Sequence, residues 1–143
     1  MREALSLAER AASVGEVPVG PVIEYEGEII ARGYNRRESD KNALAHAEII
    51  AIDAACKARG GWRLSGCTLY VTLEPCLMCA GAIVNARIDR VVYALPDPKS
   101  GAFGSVTDVS ELPVNHQPEV TNGVLAAPCK EVLQSFFKKL RQR

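Results

Sequence analysis

Two short stretches of this 143-residue chain carry side chains whose types and spacing suit a metal centre. His46, Ala47 and Glu48 form an H-x-E triplet, and Pro75 to Cys79 form P-C-x-x-C. Cysteines three apart at the start of a helix put both sulfurs on one face, where the positive helix end favours their thiolates. Cys76 and Cys79 thus supply half of a tetrahedral zinc site, and His46 can supply the third ligand. No matching fourth ligand is present, which leaves a position for water, as in a catalytic rather than a structural zinc site. Glu48 can then stand beside that water without ligating, taking its proton and delivering it to a substrate as general acid/base.

Each motif alone has a plainer explanation. A C-x-x-C pair fits a redox dithiol or half of a structural zinc site, but neither needs Pro75 before it or an H-x-E about thirty residues upstream. A lone His46 in an alanine-rich helix would be a satisfied, partly buried histidine, and a lone Glu48 a solvated charge. Their joint placement separates the readings. Cys56, Cys67 and Cys129 have no partner spacing and read as small buried thiols.

The elements that must position these residues follow from periodicity. Residues 3–14 repeat apolar positions at helical spacing, and Gly15 ends them. Residues 17–25 and 28–35 read as strands around a Glu26-Gly27 turn. Pro18 and Pro21 predict that the first strand is an edge or is interrupted. A helix is expected over residues 43–58, a buried strand over 68–73, a helix opening at Pro75 and a strand over 89–95, giving a crossover unit. Residues 96–117 read as a long loop with one short helical turn, of a length that is often functional. A strand near 119–124 and a helix over 129–141 complete an α/β fold, a three-layer α/β/α sandwich around a mixed sheet of about five strands.

Size and composition fit one domain spanning residues 1–143: 48% of residues are hydrophobic and 24% charged, far from a disordered composition. Lysine plus arginine number 17 and aspartate plus glutamate 17, so total charge gives no sign of nucleic-acid binding. The cations Lys138, Lys139, Arg141 and Arg143 nevertheless cluster at the end of the last helix, where a solvated end complementing the helix dipole is the simplest explanation. No apolar run approaches a membrane span or a signal peptide, so a cytoplasmic protein without membrane partners is expected.

With these residues in place, the chain resembles the cytidine deaminase-like superfamily, whose signature is H-x-E followed by P-C-x-x-C. Within it the chain is similar to the bacterial tRNA adenosine deaminase family. The likeness runs through EVPVG at 16–20, AHAEI at 45–49, TLEPC at 72–76, DPKSGAFGS at 97–105, Asn115-His116 and SFFKKLR at 135–141. Ala43-Leu44 and Pro21 depart from the family's usual Pro-Thr and Ala, which puts the difference on the pocket wall. The resemblance implies one zinc per chain, conversion of adenosine to inosine at the wobble position of a tRNA anticodon stem-loop, and a homodimer. By residue it implies that Asn35 contacts the target nucleotide, that the Ala47 N–H bonds the base, and that Asp97, Lys99 and Asn115 line the pocket. Phe136 and Phe137 would face the RNA, although core packing explains one of them equally well. Two competitors remain open: a deaminase of a free base or nucleotide such as guanine or cytosine, and a non-catalytic tRNA-binding subunit, against which Glu48 argues.

Overall fold

The computed structural model describes residues 1–142, and Arg143 lies outside the described residues. Helix α1 (Arg2–Ser13) buries Ala4, Leu7, Ala8 and Ala11 along one stripe, as its periodicity requires. Strands β1 (Pro21–Tyr25) and β2 (Glu28–Arg32) form a hairpin. Glu26 and Gly27 turn it at φ 51° and 85°, the mirror-image turn whose twist matches that of the strands. Helix α2 (Ala47–Arg59), strand β3 (Cys67–Leu73), helix α3 (Leu77–Asn85) and strand β4 (Arg90–Leu95) follow. A single 3-10 turn (Val109–Glu111), strand β5 (Glu119–Asn122) and helix α4 (Ala126–Arg141) complete the chain.

The sheet order is β2-β1-β3-β4-β5. β1 runs antiparallel to both neighbours, whereas β3, β4 and β5 are parallel. Helices α1 and α4 pack together on one face, with α2 and α3 packed together in the layer on the other, which is the expected three-layer sandwich. Ile23, Leu69, Val71, Ile83, Ile88 and Val91 fill the core.

Three boundaries differ from expectation. β1 is interior rather than an edge, and the run expected over 17–25 is instead interrupted at its prolines: Pro18 lies outside the strand and Pro21 is its first residue. α2 begins at Ala47, not at residue 43, because Ala45 is held in a turn by Asn42 and accepts the Arg36 N–H. α4 begins three residues early, after Leu125 at φ 55°.

Two glycines set how closely the helical layers approach the sheet. A Cβ on Gly33 would lie 2.5 Å from the Ala47 carbonyl oxygen, so α2 begins in direct contact with the chain after β2. A Cβ on Gly20 would collide with the Ala4 carbonyl oxygen and lie 2.5 Å from the Ala8 nitrogen, backbone atoms that cannot rotate away. Gly20→Ala is therefore expected to lower unfolding free energy by about 2 to 3 kcal/mol, through overpacking. A shifted denaturant midpoint at constant slope would show it, and an unchanged midpoint would disprove the contact.

Candidate active site

Both motifs sit at helix starts. His46 is the N-cap of α2, with extended backbone (φ −69°, ψ 148°), and Cys76 is the N-cap of α3 (φ −75°, ψ 176°). Cys79 lies in the first turn of α3, so the pair is split between cap and helix rather than sharing one turn. The Nδ1 of His46 stands 3.5 Å from the Cys76 sulfur and 3.6 Å from the Cys79 sulfur. Tetrahedral zinc at ordinary Zn–N and Zn–S lengths requires an N···S separation of about 3.6 Å, so the donor set fits that metal without rearrangement. The three ligand atoms all lie within 4.8 Å of one another, and no other such cluster occurs among the described residues.

The electrostatics favour the same use. The Cys79 thiol donates to the Cys76 sulfur and, with burial opposing and His46 assisting, holds Cys76 down at about 4. The same hydrogen bond, together with burial, pushes Cys79 up, so the pair shares one proton that a dication would displace. His46 is raised by its hydrogen bond with Cys76, against the opposing effect of burial. Glu48, only 5% exposed in the first turn of α2, is pushed up to about 7. Burial is the main cause and the Cys76 thiolate adds to it, against its own backbone N–H and His46.

These residues open into a cleft of about 380 Å³ lined by His46, Ala47, Glu48 and Cys76. Asn35 and Ala47 line it, and the N–H groups of α2's first turn lack intrahelical partners. Asp97 lines it too, its carboxylate accepting from the Lys99 N–H, the Ser100 N–H and the Ser100 hydroxyl. Lys99 is exposed and not in the lining. Asn115 instead borders a separate depression with Leu77, Val84 and Leu112. Phe136 lines the cleft, with Leu140, whereas Phe137 packs edge-on against Phe136 and is 38% exposed. Ala43 and Leu44 do not line the cleft.

Residues missed by sequence reading are Glu16, Arg37, Glu74 and Ser100, all in the lining. Glu16 and Glu74 had a usable signal: each is an acid embedded among apolar residues and proline, yet each is at most 2% exposed. Burial pushes Glu16 up, but the Ser39 hydroxyl and the Ser39 and Glu38 N–H groups outweigh it and hold it below the usual range.

A mixed five-stranded sheet between paired helices, with His, Cys, Cys and a buried Glu at two helix starts, defines a nucleobase deaminase of the cytidine deaminase-like class. The MafB19-like deaminase family matches residues 1–141. A tRNA-specific adenosine deaminase of Bacillus subtilis (strain 168) is 51% identical over 144 residues, covering 100% of this chain and 89% of its own. A structure solved in a study of A-to-I editing by tRNA:A34 deaminases superposes with a TM-score of 0.91 at 45% identity, covering 93% of this chain and 97% of the other. A guanine deaminase from Nitrosomonas europaea gives 0.77 at 25% identity, covering 93% and 80%. The chain belongs to the tRNA-specific adenosine deaminase family and is a hydrolytic deaminase.

The donor geometry makes metal content the direct check. Purified protein is expected to carry about one zinc per chain, and Cys76→Ser to lose most of it in elemental analysis. Stoichiometric zinc in the variant would remove Cys76 from the site.

Proposed function

We propose that the protein deaminates adenosine at the wobble position of a tRNA anticodon stem-loop, with water consumed, inosine formed and ammonia released. One observation carries this reading: buried Glu48 stands beside the converging His46, Cys76 and Cys79 in a chain half identical to a tRNA-specific adenosine deaminase. His46, Cys76 and Cys79 hold zinc, which when bound supplies the Lewis acidity that lets water act as a nucleophile near neutral pH. Glu48 takes one proton of the attacking water and gives it to the base ring nitrogen, then takes the proton of the newly formed hydroxyl and delivers it to the amino group, which leaves as ammonia as the carbonyl forms. The Ala47 N–H, at an unsatisfied helix start, donates to the base, and Asn35 and Asp97 hold the nucleotide from either side of the cleft. Phe136 offers a ring face, and Phe137 the exposed edge beside it, to flanking bases.

Lys138, Lys139 and Arg141 occupy the last turn of α4, the helix that brings Phe136 and Leu140 to the cleft, and there they meet RNA phosphates. Arg143, expected to join them, lies outside the described residues. Residues 1–143 act as one deaminase domain. Leu77 on α3, 60% exposed, and Leu112 after the 3-10 turn, 43% exposed, border with Val84 an apolar depression that supports pairing of two chains. Among the described residues no helix is long and apolar enough to cross a membrane. Reaction on tRNA places the enzyme in the cytoplasm.

Sequencing tRNA after incubation reads inosine as A-to-G change. Wild type is expected to convert the wobble adenosine, and Glu48→Ala to keep its fold and zinc while losing about 10² to 10⁴ in rate. Residual activity within tenfold would exclude Glu48 as the proton carrier. Turnover of free guanine with an unedited stem-loop would replace the substrate assigned here.

Neutralising Lys138, Lys139 and Arg141 is expected to raise KM for the stem-loop more than it lowers kcat, because contacts remote from the reacting carbon are made about equally in ground and transition states. The slope of log affinity against log salt should flatten by about 0.7 to 0.9 per lost phosphate contact. Unchanged KM and slope would move the RNA path off α4.

A further inference from the structure

Glu74 is 2% exposed and follows the last residue of β3, directly before the ligand-bearing Pro75-Cys76. Its backbone N–H is tied to Leu95 at the end of β4 (2.8 Å), so its stem cannot drift from the sheet. Every side-chain partner comes from the next loop. The carboxylate accepts the N–H groups of Asp97 (3.1 Å), Phe103 (2.8 Å) and Ser105 (3.3 Å), and the Ser105 hydroxyl as well. Among the described residues no cation pairs with it. A carboxylate buried without a counter-charge persists only while its hydrogen-bond donors stay in place, so the loop and the carboxylate hold each other.

The loop passes over this group with no clearance. A Cβ on Gly101 would run into the Glu74 carboxylate, with Oε1 at 2.6 Å. Beside it the Ala102 N–H donates to the Pro75 carbonyl (2.9 Å), and Gly101 bridges Cys76. The consequence reaches the cleft, because Asp97 and Ser100 line it together with Asn35 and are bonded to each other.

We propose that Glu74 is a positioning residue for the substrate: it fixes the loop 96–105, and with it Asp97 and Ser100, in register with the metal-ligating turn. Its kinetic consequence rests on the RNA reading above, whereas the loop clamp does not. Glutamine at 74 keeps the shape but aims an amide NH₂ at N–H donors, so the clamp opens while the fold and the three ligands remain.

The test compares zinc-loaded wild type with Glu74→Gln and Gly101→Ala, which disturbs the same contact from the opposite side. In both variants zinc content is expected to match wild type, and amide exchange over residues 97–105 to be at least about tenfold faster. KM for the anticodon stem-loop should rise about 10- to 100-fold, with kcat changed less than about threefold, the penalty of a misplaced binding wall. Unchanged exchange in both variants overturns the proposal, as does loss of zinc or a fall in kcat at constant KM. If Glu74→Gln does not fold, Ser105→Ala removes only the hydroxyl donor: faster loop exchange with a smaller rise in KM supports the clamp, and no change overturns it. Should wild type leave the stem-loop unedited, the substrate assignment fails, and loop exchange alone still decides the clamp.

Discussion

Three ligand atoms on two helices must meet within a few tenths of an ångström, and the rest of the fold answers to that requirement. The His46 imidazole and the Cys76 and Cys79 sulfurs come from the first residues of α2 and α3, which lie side by side in one layer. Zinc tolerates ligand distances only within about 0.2 Å, so any sliding of one helix past the other would open the site. The packing prevents it. Gly33 lets α2 begin against the backbone, and Ala51, Ala55 and Ala80 are fully buried beneath the two helices. Small side chains shorten the helix-to-sheet distance, and dense packing leaves no alternative arrangement. The alanine content of these helices thus serves the closeness of the ligands as much as helix propensity.

Three buried glutamates surround the cleft, and the number of donors each receives decides what it can do. Glu16 is met by two backbone N–H groups and a hydroxyl, Glu74 by three N–H groups and a hydroxyl. Each secures a loop, residues 38–39 in one case and 97–105 in the other. Glu48 has its own backbone N–H and the Cys79 thiol, with His46 assisting, against nearly complete burial, and stands near neutrality at about 7. A carboxyl that burial has raised, and that few donors stabilise as an anion, can both take and release a proton. The same side chain therefore suits a clamp or a proton carrier according to the donors presented to it.

What was legible in the sequence is what is local. H-x-E and P-C-x-x-C carry their chemistry within a few residues, and strand and helix periods sufficed for the layers and the five strands. Alanine at 43 and 45 looked helical, but the Asn42 turn and the Arg36 N–H compete for that backbone, and α2 starts at Ala47. The resemblance implies that Lys99 and Asn115 line the pocket, but the loop that carries them has no period to fix its path. The structure turns Lys99 to solvent and carries Asn115 to the surface beside Leu77. Phe136 and Phe137 differ by one helical step, about 100°, and only the docking of α4 selects which ring faces the cleft. The partners of the clamping glutamates are mostly backbone N–H groups, 22 to 31 residues distant in the chain, which no local pattern reveals.

The cleft is assembled from both helical layers, and this bears on how a neutral protein selects RNA. α2 and α3 deliver the ligand residues from one face, while α4 reaches it from the other with Phe136 and Leu140. The junction lies where the sheet changes sense, at the antiparallel β1 and parallel β3 boundary, a topological break of the kind that leaves a crevice in α/β sheets. With equal numbers of acidic and basic residues the chain has no net field to draw in polyanions from a distance. Under the proposed function, attraction comes from the local grouping of Lys138, Lys139 and Arg141, which acts within about one Debye length, about 8 Å at physiological salt. In the reading proposed above, such an enzyme gains little from non-specific RNA, and its selectivity rests on ligands that present phosphates to α4 and a base to Glu48 at the same time.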